Sequence, residues 1–203
     1  MAKENLGILC SGRGSNLQSI IENIESGNIN AEIKIVLTDK PNAMALSRAS
    51  DAGIKAVCVN RKEFETREAF EEALIKELKA ANVTLVILAG FMRLLSPLFV
   101  RAYEGRIMNI HPALLPSFQG AHAHRDVLAY GVKVSGCTVH FVDEGMDSGP
   151  IILQEVVPVL EGDTEETLAA RVLKVEHRIY PEAIRLFAEG KLKVEGRKVK
   201  ILG

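Results

Sequence analysis

The chain has 203 residues, 47% hydrophobic and 25% charged, a mixture that fits one globular domain and excludes a disordered or fibrous chain. Its 25 Lys and Arg against 26 Asp and Glu leave a formal charge of −1, which removes any general electrostatic case for nucleic acid or an anionic membrane while leaving room for a small anion at a local site. Cys10, Cys58 and Cys137 are odd in number and far apart, so neither a disulfide framework nor a CxxC metal site is expected; no apolar signal core and no membrane-length apolar run occur, which predicts a soluble protein of a reducing cytoplasm.

Short β-rich runs alternate with helical patterns. An apolar run at 6–9 precedes Leu17, Ile20, Ile21 and Ile24 at helical spacing, with Gly27 as a stop. A second strand is predicted at 33–37, a short helix between Pro41 and Gly53, and a third strand at 54–59. Phe70, Leu74 and Leu78 mark one face of a longer helix whose Glu68, Glu71, Glu72 and Lys76 are expected in solvent. The nearly all-apolar run at 83–89 reads as a parallel strand covered on both faces. This beginning implies a parallel sheet with right-handed crossovers.

The second half changes character. Strands are predicted at 107–110, 134–142 and 151–157, the last two antiparallel. Residues 163–166 resemble a capping box opening a helix with Leu168, Val172, Val175 and Ile179 on one face; Pro181 is expected to restart a helix that stops near Gly190. Residues 191–202 read as a hairpin turning at Glu195-Gly196. The whole is expected to be a single α/β domain, with about 1–100 as a phosphate-binding half and about 101–203 as a catalytic half.

In open α/β sheets ligands bind beyond the carboxyl ends of the strands, where strand order reverses. If the first and fourth strands are neighbours, the segments 10–16, 90–95 and 109–112 meet there. Ser11-Gly12-Arg13-Gly14-Ser15-Asn16-Leu17 is either an anion cradle at a helix N-terminus or a tight turn capped by Ser15 or Asn16. A dinucleotide fingerprint needs Gly at Leu17 and is broken, although Asp39 sits where a ribose-binding acid would. Asn109, His111 and Asp147 offer an amide donor, a proton carrier and a carboxylate that favours imidazolium, a set suited to acyl transfer; spacing alone favours three separate structural roles instead. His122 and His124, with His111 or His140, form no recognised metal signature, and no nucleophile elbow is present, so no metal and no covalent intermediate are expected.

The loop at 11–17, the segment Ala89-Gly90-Phe91-Met92-Arg93-Leu94-Leu95-Ser96-Pro97, the stretch Asn109-Ile110-His111-Pro112-Ala113-Leu114-Leu115-Pro116 and the run from Gly136 to Ile152 resemble the phosphoribosylglycinamide formyltransferase family across essentially the whole chain. The resemblance implies a Rossmann-like formyltransferase fold, mostly parallel, with helices on both faces of the sheet and an antiparallel C-terminal part. It also implies formyl transfer from 10-formyltetrahydrofolate to glycinamide ribonucleotide in purine synthesis. On that basis Asn109, His111 and Asp147 are expected to be catalytic, and Gly14, Ser15, Asn16 and Glu176 to bind the phosphoribosyl substrate. Arg67, Met92, Arg93, Leu94, Leu95, Asn109, Val142, Asp143 and Asp147 are expected at the folate, chiefly through backbone groups at 93–95, with 142–147 closing over the pterin. Gln119 replaces a Pro common among relatives and implies a more mobile loop; Leu173 puts one polar substrate contact in doubt. The implied partners are small molecules, with no nucleic acid or membrane and a homodimer left open. The rivals are another folate formyltransferase, a formylfolate hydrolase, or an NAD-binding module. The tRNA enzyme and the hydrolase carry extra domains for which this chain is expected to have no room.

Overall fold

The structure is a computed structural model that describes residues 2–203. It divides into two compact units, the first ending at Met108 and the second running from Asn109 to Gly203.

The first unit contains β1 (Glu4–Cys10), α1 (Ser15–Glu25), β2 (Ala31–Thr38), α2 (Met44–Asp51), β3 (Ala56–Cys58), α3 (Arg67–Ala80), β4 (Leu85–Leu88) and α4 (Pro97–Ala102). Its strands are parallel, in the order β3-β2-β1-β4. The chain steps outward from β1 to β3 and returns on the other side as β4, so strand order reverses between β1 and β4. All four residues of β4 are buried, as expected of a parallel strand without a solvent face. Two predicted strands are shortened: the third keeps only 56–58 and the fourth only 85–88.

One expectation for α3 fails. Glu68, Glu72 and Lys76 are exposed, but Glu71 is buried beside Phe70 and Leu74. The reason is local chemistry: its carboxylate accepts hydrogen bonds from the Ser96 N–H (2.9 Å), the Ser96 hydroxyl and Arg67 Nε (3.2 Å), which replace the lost water.

The seam between the units falls within β5 (Ile107–His111). The second unit continues with α5 (Ala123–Tyr130), β6 (Val134–Phe141), β7 (Ile151–Pro158), α6 (Glu165–Ala188), β8 (Leu192–Glu195) and β9 (Lys198–Ile201), in the strand order β5-β6-β7-β9-β8. As expected, β6 and β7 are antiparallel, and β8 and β9 form an antiparallel hairpin. This hairpin joins β7 at Ile151 opposite Lys198, and Arg197 in its turn donates to the Ser148 carbonyl at 2.7 Å.

Helix α6 departs from expectation twice. Its cap is Thr164, which exchanges hydrogen bonds with Thr167 in a reciprocal box; Asp163 instead binds Arg171 and the Leu160 N–H. Pro181 does not restart the helix but sits inside it. A mid-helix proline forfeits one backbone bond, at about 3 kcal/mol. Here burial of Ile179, Tyr180, Ala183, Ile184 and Leu186 on both sides of it keeps the helix continuous. No helix among the described residues is long and apolar enough to cross a membrane.

Candidate active site

In the first unit, the segments that follow β1 and β4 are stitched together. The Ser11 N–H donates to the Gly90 carbonyl at 3.1 Å, and the Ser11 hydroxyl accepts from the Met92 N–H at 3.0 Å. Gly14 precedes α1 with φ 68°, and a Cβ there would stand 3.1 Å from the Ala45 backbone, so both conformation and space select glycine. Neither Ser15 nor Asn16 is the N-cap of α1; that residue is Gly14, which has no side chain to cap with. Arg48 braces the loop through a 2.8 Å bond to the Arg13 carbonyl. A helix start without a side-chain cap presents N–H donors with a positive dipole, the arrangement that binds phosphate.

Asp39 is taken up by Arg93. Arg93 Nε donates to its carboxylate at 2.5 Å, and the guanidinium lies 5.7 Å from the centroid of the Phe70 ring. An acid so engaged is a poor ribose ligand, which counts against the dinucleotide reading. Met92 and Leu94 are 70% and 54% exposed, while Leu95 is buried. Arg67, the first residue of α3, is held by Glu71.

In the second unit, β5 ends at His111, which is 4% exposed. Its Nδ1 stands 3.4 Å from Asp147 Oδ2, and its Nε2–H donates to the Phe118 carbonyl at 2.8 Å. Both neighbours have left-handed backbone, Phe118 at φ 54° and Asp147 at φ 49°; an aspartate adopts it readily, whereas for the bulky Phe118 it is costly and held by the surroundings. The Gly120 N–H donates to Asp147 Oδ2 at 2.9 Å. Asn109 meets this group indirectly. Its amide donates to His140 Nε2 at 3.2 Å, and that nitrogen lies 3.9 Å from Asp147 Oδ1. His140 Nδ1–H donates to the Phe141 carbonyl at 2.8 Å, which leaves Nε2 as the acceptor. Burial is the main influence on His140 and pushes its pKa below the ordinary histidine value; the Phe141 carbonyl and Asp147 oppose this.

Around them, Asp143 accepts from the Ser148 hydroxyl (2.6 Å) and the Gly145 N–H (3.1 Å), so its side chain shapes the 142–147 loop; Val142 is half-buried. The Gln119 amide donates to the Met146 and Asp147 carbonyls, each at 3.2 Å, and so ties its loop to the 142–147 loop. Glu176 is buried on α6, and its charge, after burial itself, helps raise the Cys137 thiol to about 12. A thiol at that value is protonated at neutral pH and is no nucleophile.

The family model described as formyl transferase matches residues 4–184. The chain belongs to the formyl transferase family. Among curated relatives, phosphoribosylglycinamide formyltransferase of Escherichia coli is 46% identical over 190 residues, covering 94% of this chain and 90% of that protein. The trifunctional purine biosynthetic protein adenosine-3 of Homo sapiens is 47% identical over 188 residues, but this family member spans only 19% of its length. Against the same protein of Chironomus tentans the figures are 46% identity and 14% of its length. Among solved structures, glycinamide ribonucleotide transformylase 1 from Symbiobacterium toebii superposes with a TM-score of 0.98 at 52% identity, covering 99% of this chain and 95% of that one.

Sequence reasoning on this formyl transferase overlooked three participants. His140 was weighed only as a metal ligand, although a histidine in an otherwise apolar strand is itself a signal. The Phe118 carbonyl leaves no trace in residue identity. Helical spacing puts Glu71 on the face of Phe70, Leu74 and Leu78, but a carboxylate there reads as solvated until its partner Ser96, 25 residues away, is known.

Proposed function

We propose that this chain transfers the formyl group of 10-formyltetrahydrofolate to the amine of N1-(5-phospho-D-ribosyl)glycinamide, giving the formylated ribonucleotide and tetrahydrofolate on the route to IMP. The observation that carries the reading is the His111–Asp147 pair, 3.4 Å apart and joined to Asn109 through His140, in a formyl transferase whose buried Cys137 is no nucleophile. A site with donors and a proton carrier but no nucleophile of its own suits a substrate that brings one.

The substrate amine attacks the formyl carbon, and the carbonyl oxygen gains negative charge. His111 Nε2–H, bonded to the Phe118 carbonyl when no substrate is bound, transfers that donor to the oxyanion, and Asn109 supplies the second. Asp147, 3.4 Å from His111 Nδ1, accepts the proton the amine loses. The bond from carbon to the folate N10 then breaks, and N10 leaves with the proton that Asp147 took from the amine, which returns the carboxylate to its starting charge. We assign phosphate anchoring to Gly14, Ser15 and Asn16, and ribonucleotide recognition to Glu176. Arg67, the 92–95 backbone, Val142 and Asp143 are assigned to the folate. Remote anchoring of the phosphate helps to position the amine. The partners are two small molecules, with no metal, nucleic acid or membrane, and the setting is the cytoplasm.

The test mixes the chain with a formyl-dideazafolate and glycinamide ribonucleotide and follows deformylation at the folate chromophore. Loss of formyl only when the amine is present supports transfer; equal loss without it makes the protein a hydrolase. Asp147→Asn is expected to lower turnover about a hundredfold or more, the usual worth of a positioned proton acceptor, with an unchanged melting temperature. Unaltered turnover across neutral pH removes the His–Asp pair from the mechanism.

A further inference from the structure

We propose that Glu71 is a positioning residue for the formyl folate, its buried carboxylate holding Arg67 and the end of the 92–95 segment in the arrangement that receives the ligand. The inference rests on the assignment of Arg67 and 92–95 to the folate.

Burying a carboxylate costs stability unless every oxygen is satisfied, and a well-packed apolar side chain commonly serves a helix face as well or better. Yet Glu71, 2% exposed, stands on the face of α3 that carries Phe70, Leu74 and Leu78. Its donors come from two places that share no structural task. Arg67 lies one turn earlier on the same helix, and Ser96 lies 25 residues further along the chain. Ser96 precedes Pro97 at the start of α4, where a serine hydroxyl ordinarily caps the helix; here it makes no cap and turns to Glu71 instead.

What this accomplishes is visible in the segment between. Residues 91–96 have no regular secondary structure; Phe91 and Leu95 are buried and anchor the segment, whereas the side chains of Met92 and Leu94 are exposed. Three polar contacts add to that burial: Ser11 Oγ at the Met92 N–H and Glu71 at the Ser96 N–H hold the backbone, and Asp39 holds the Arg93 guanidinium. Of these three, only Glu71 also holds Arg67. One carboxylate therefore sets a cationic side chain and a run of backbone donors and acceptors at once, and presetting both spares a ligand the cost of ordering them.

Titration calorimetry of the full chain with a formyl-dideazafolate, beside steady-state kinetics and thermal unfolding, tests this. Glu71→Gln keeps the size but turns an NH2 toward a donor. It is expected to weaken binding about tenfold and to raise the KM of the formyl folate equally, with kcat and the KM of glycinamide ribonucleotide changed less than about twofold. Ser96→Ala, which removes only the hydroxyl, is expected to weaken binding about threefold and provides the test if Glu71→Gln does not fold. Binding as tight as that of the unmodified chain in both variants overturns the proposal, even if the melting temperature falls, since Glu71 then serves the fold alone. If the unmodified chain does not bind the analogue, the folate assignment falls and takes this proposal with it.

Discussion

His140 shows how one buried ring can set the direction of a neighbour. With Nδ1–H committed to the Phe141 carbonyl, Nε2 is a lone-pair acceptor, and the Asn109 amide turns its N–H toward it. Protonation would place N–H against N–H and turn Asn109 away. Because the folded-state pKa is depressed, the unfolded chain binds the proton more readily. The stabilising contribution is therefore complete above the ordinary histidine value of about 6.5 and is lost as the pH falls through the interval below it. His140→Gln removes this titration: denaturant unfolding at pH 5 and 7.5 is expected to show a smaller acid loss of stability than in the unmodified chain. The residue types of Asn109, His111 and Asp147 were legible because amide, imidazole and carboxylate together announce proton chemistry. Their wiring was not, since it runs through a main-chain carbonyl at Phe118 and through left-handed backbone at 147, which residue identity does not encode.

Among the elements, the paired strands β6 and β7 depend on a residue with no side chain. A Cβ at Gly136 would fall 2.0 Å from the Glu155 carbonyl oxygen and 2.7 Å from the Leu114 side chain. Gly136→Ala is expected to cost at least about 1–3 kcal/mol, read as a lower midpoint in urea with an unchanged slope. Both strands were legible as short β-rich runs, and α1, α3 and α6 from their 3.6-residue period. The misreadings share a cause. At Glu71, the cap of α6 and Pro181 general propensity gives way to particular partners or to burial: Ser96, 25 residues further on, for Glu71, the nearby Arg171 and Leu160 for Asp163, and a buried flank for Pro181.

For the molecule as a whole, the alternation of strands and helices made the parallel first half legible. The reversal of strand order at β1 and β4, inferred only conditionally from sequence, is realised in the fold. What composition could not yield was the ligand, because a charge near zero is compatible with almost any small molecule. Thermal unfolding with added ligands separates the readings at this scale. A formyl-dideazafolate at a hundredfold excess over its Kd adds about 2.7 kcal/mol and is expected to raise the melting temperature by about 5–10 °C, whereas NAD at millimolar concentration is expected to leave it unmoved. The opposite pattern would favour the dinucleotide rival.

The bond from Arg197 to the Ser148 carbonyl has a practical corollary. The terminal ribbon reaches, through a single guanidinium, the peptide next to the proposed proton acceptor, although the matched family region stops at residue 184. A purification handle fused behind residue 203 is therefore expected to load that ribbon, and turnover measured before and after cleavage of the handle checks whether the strain reaches the peptide at 148.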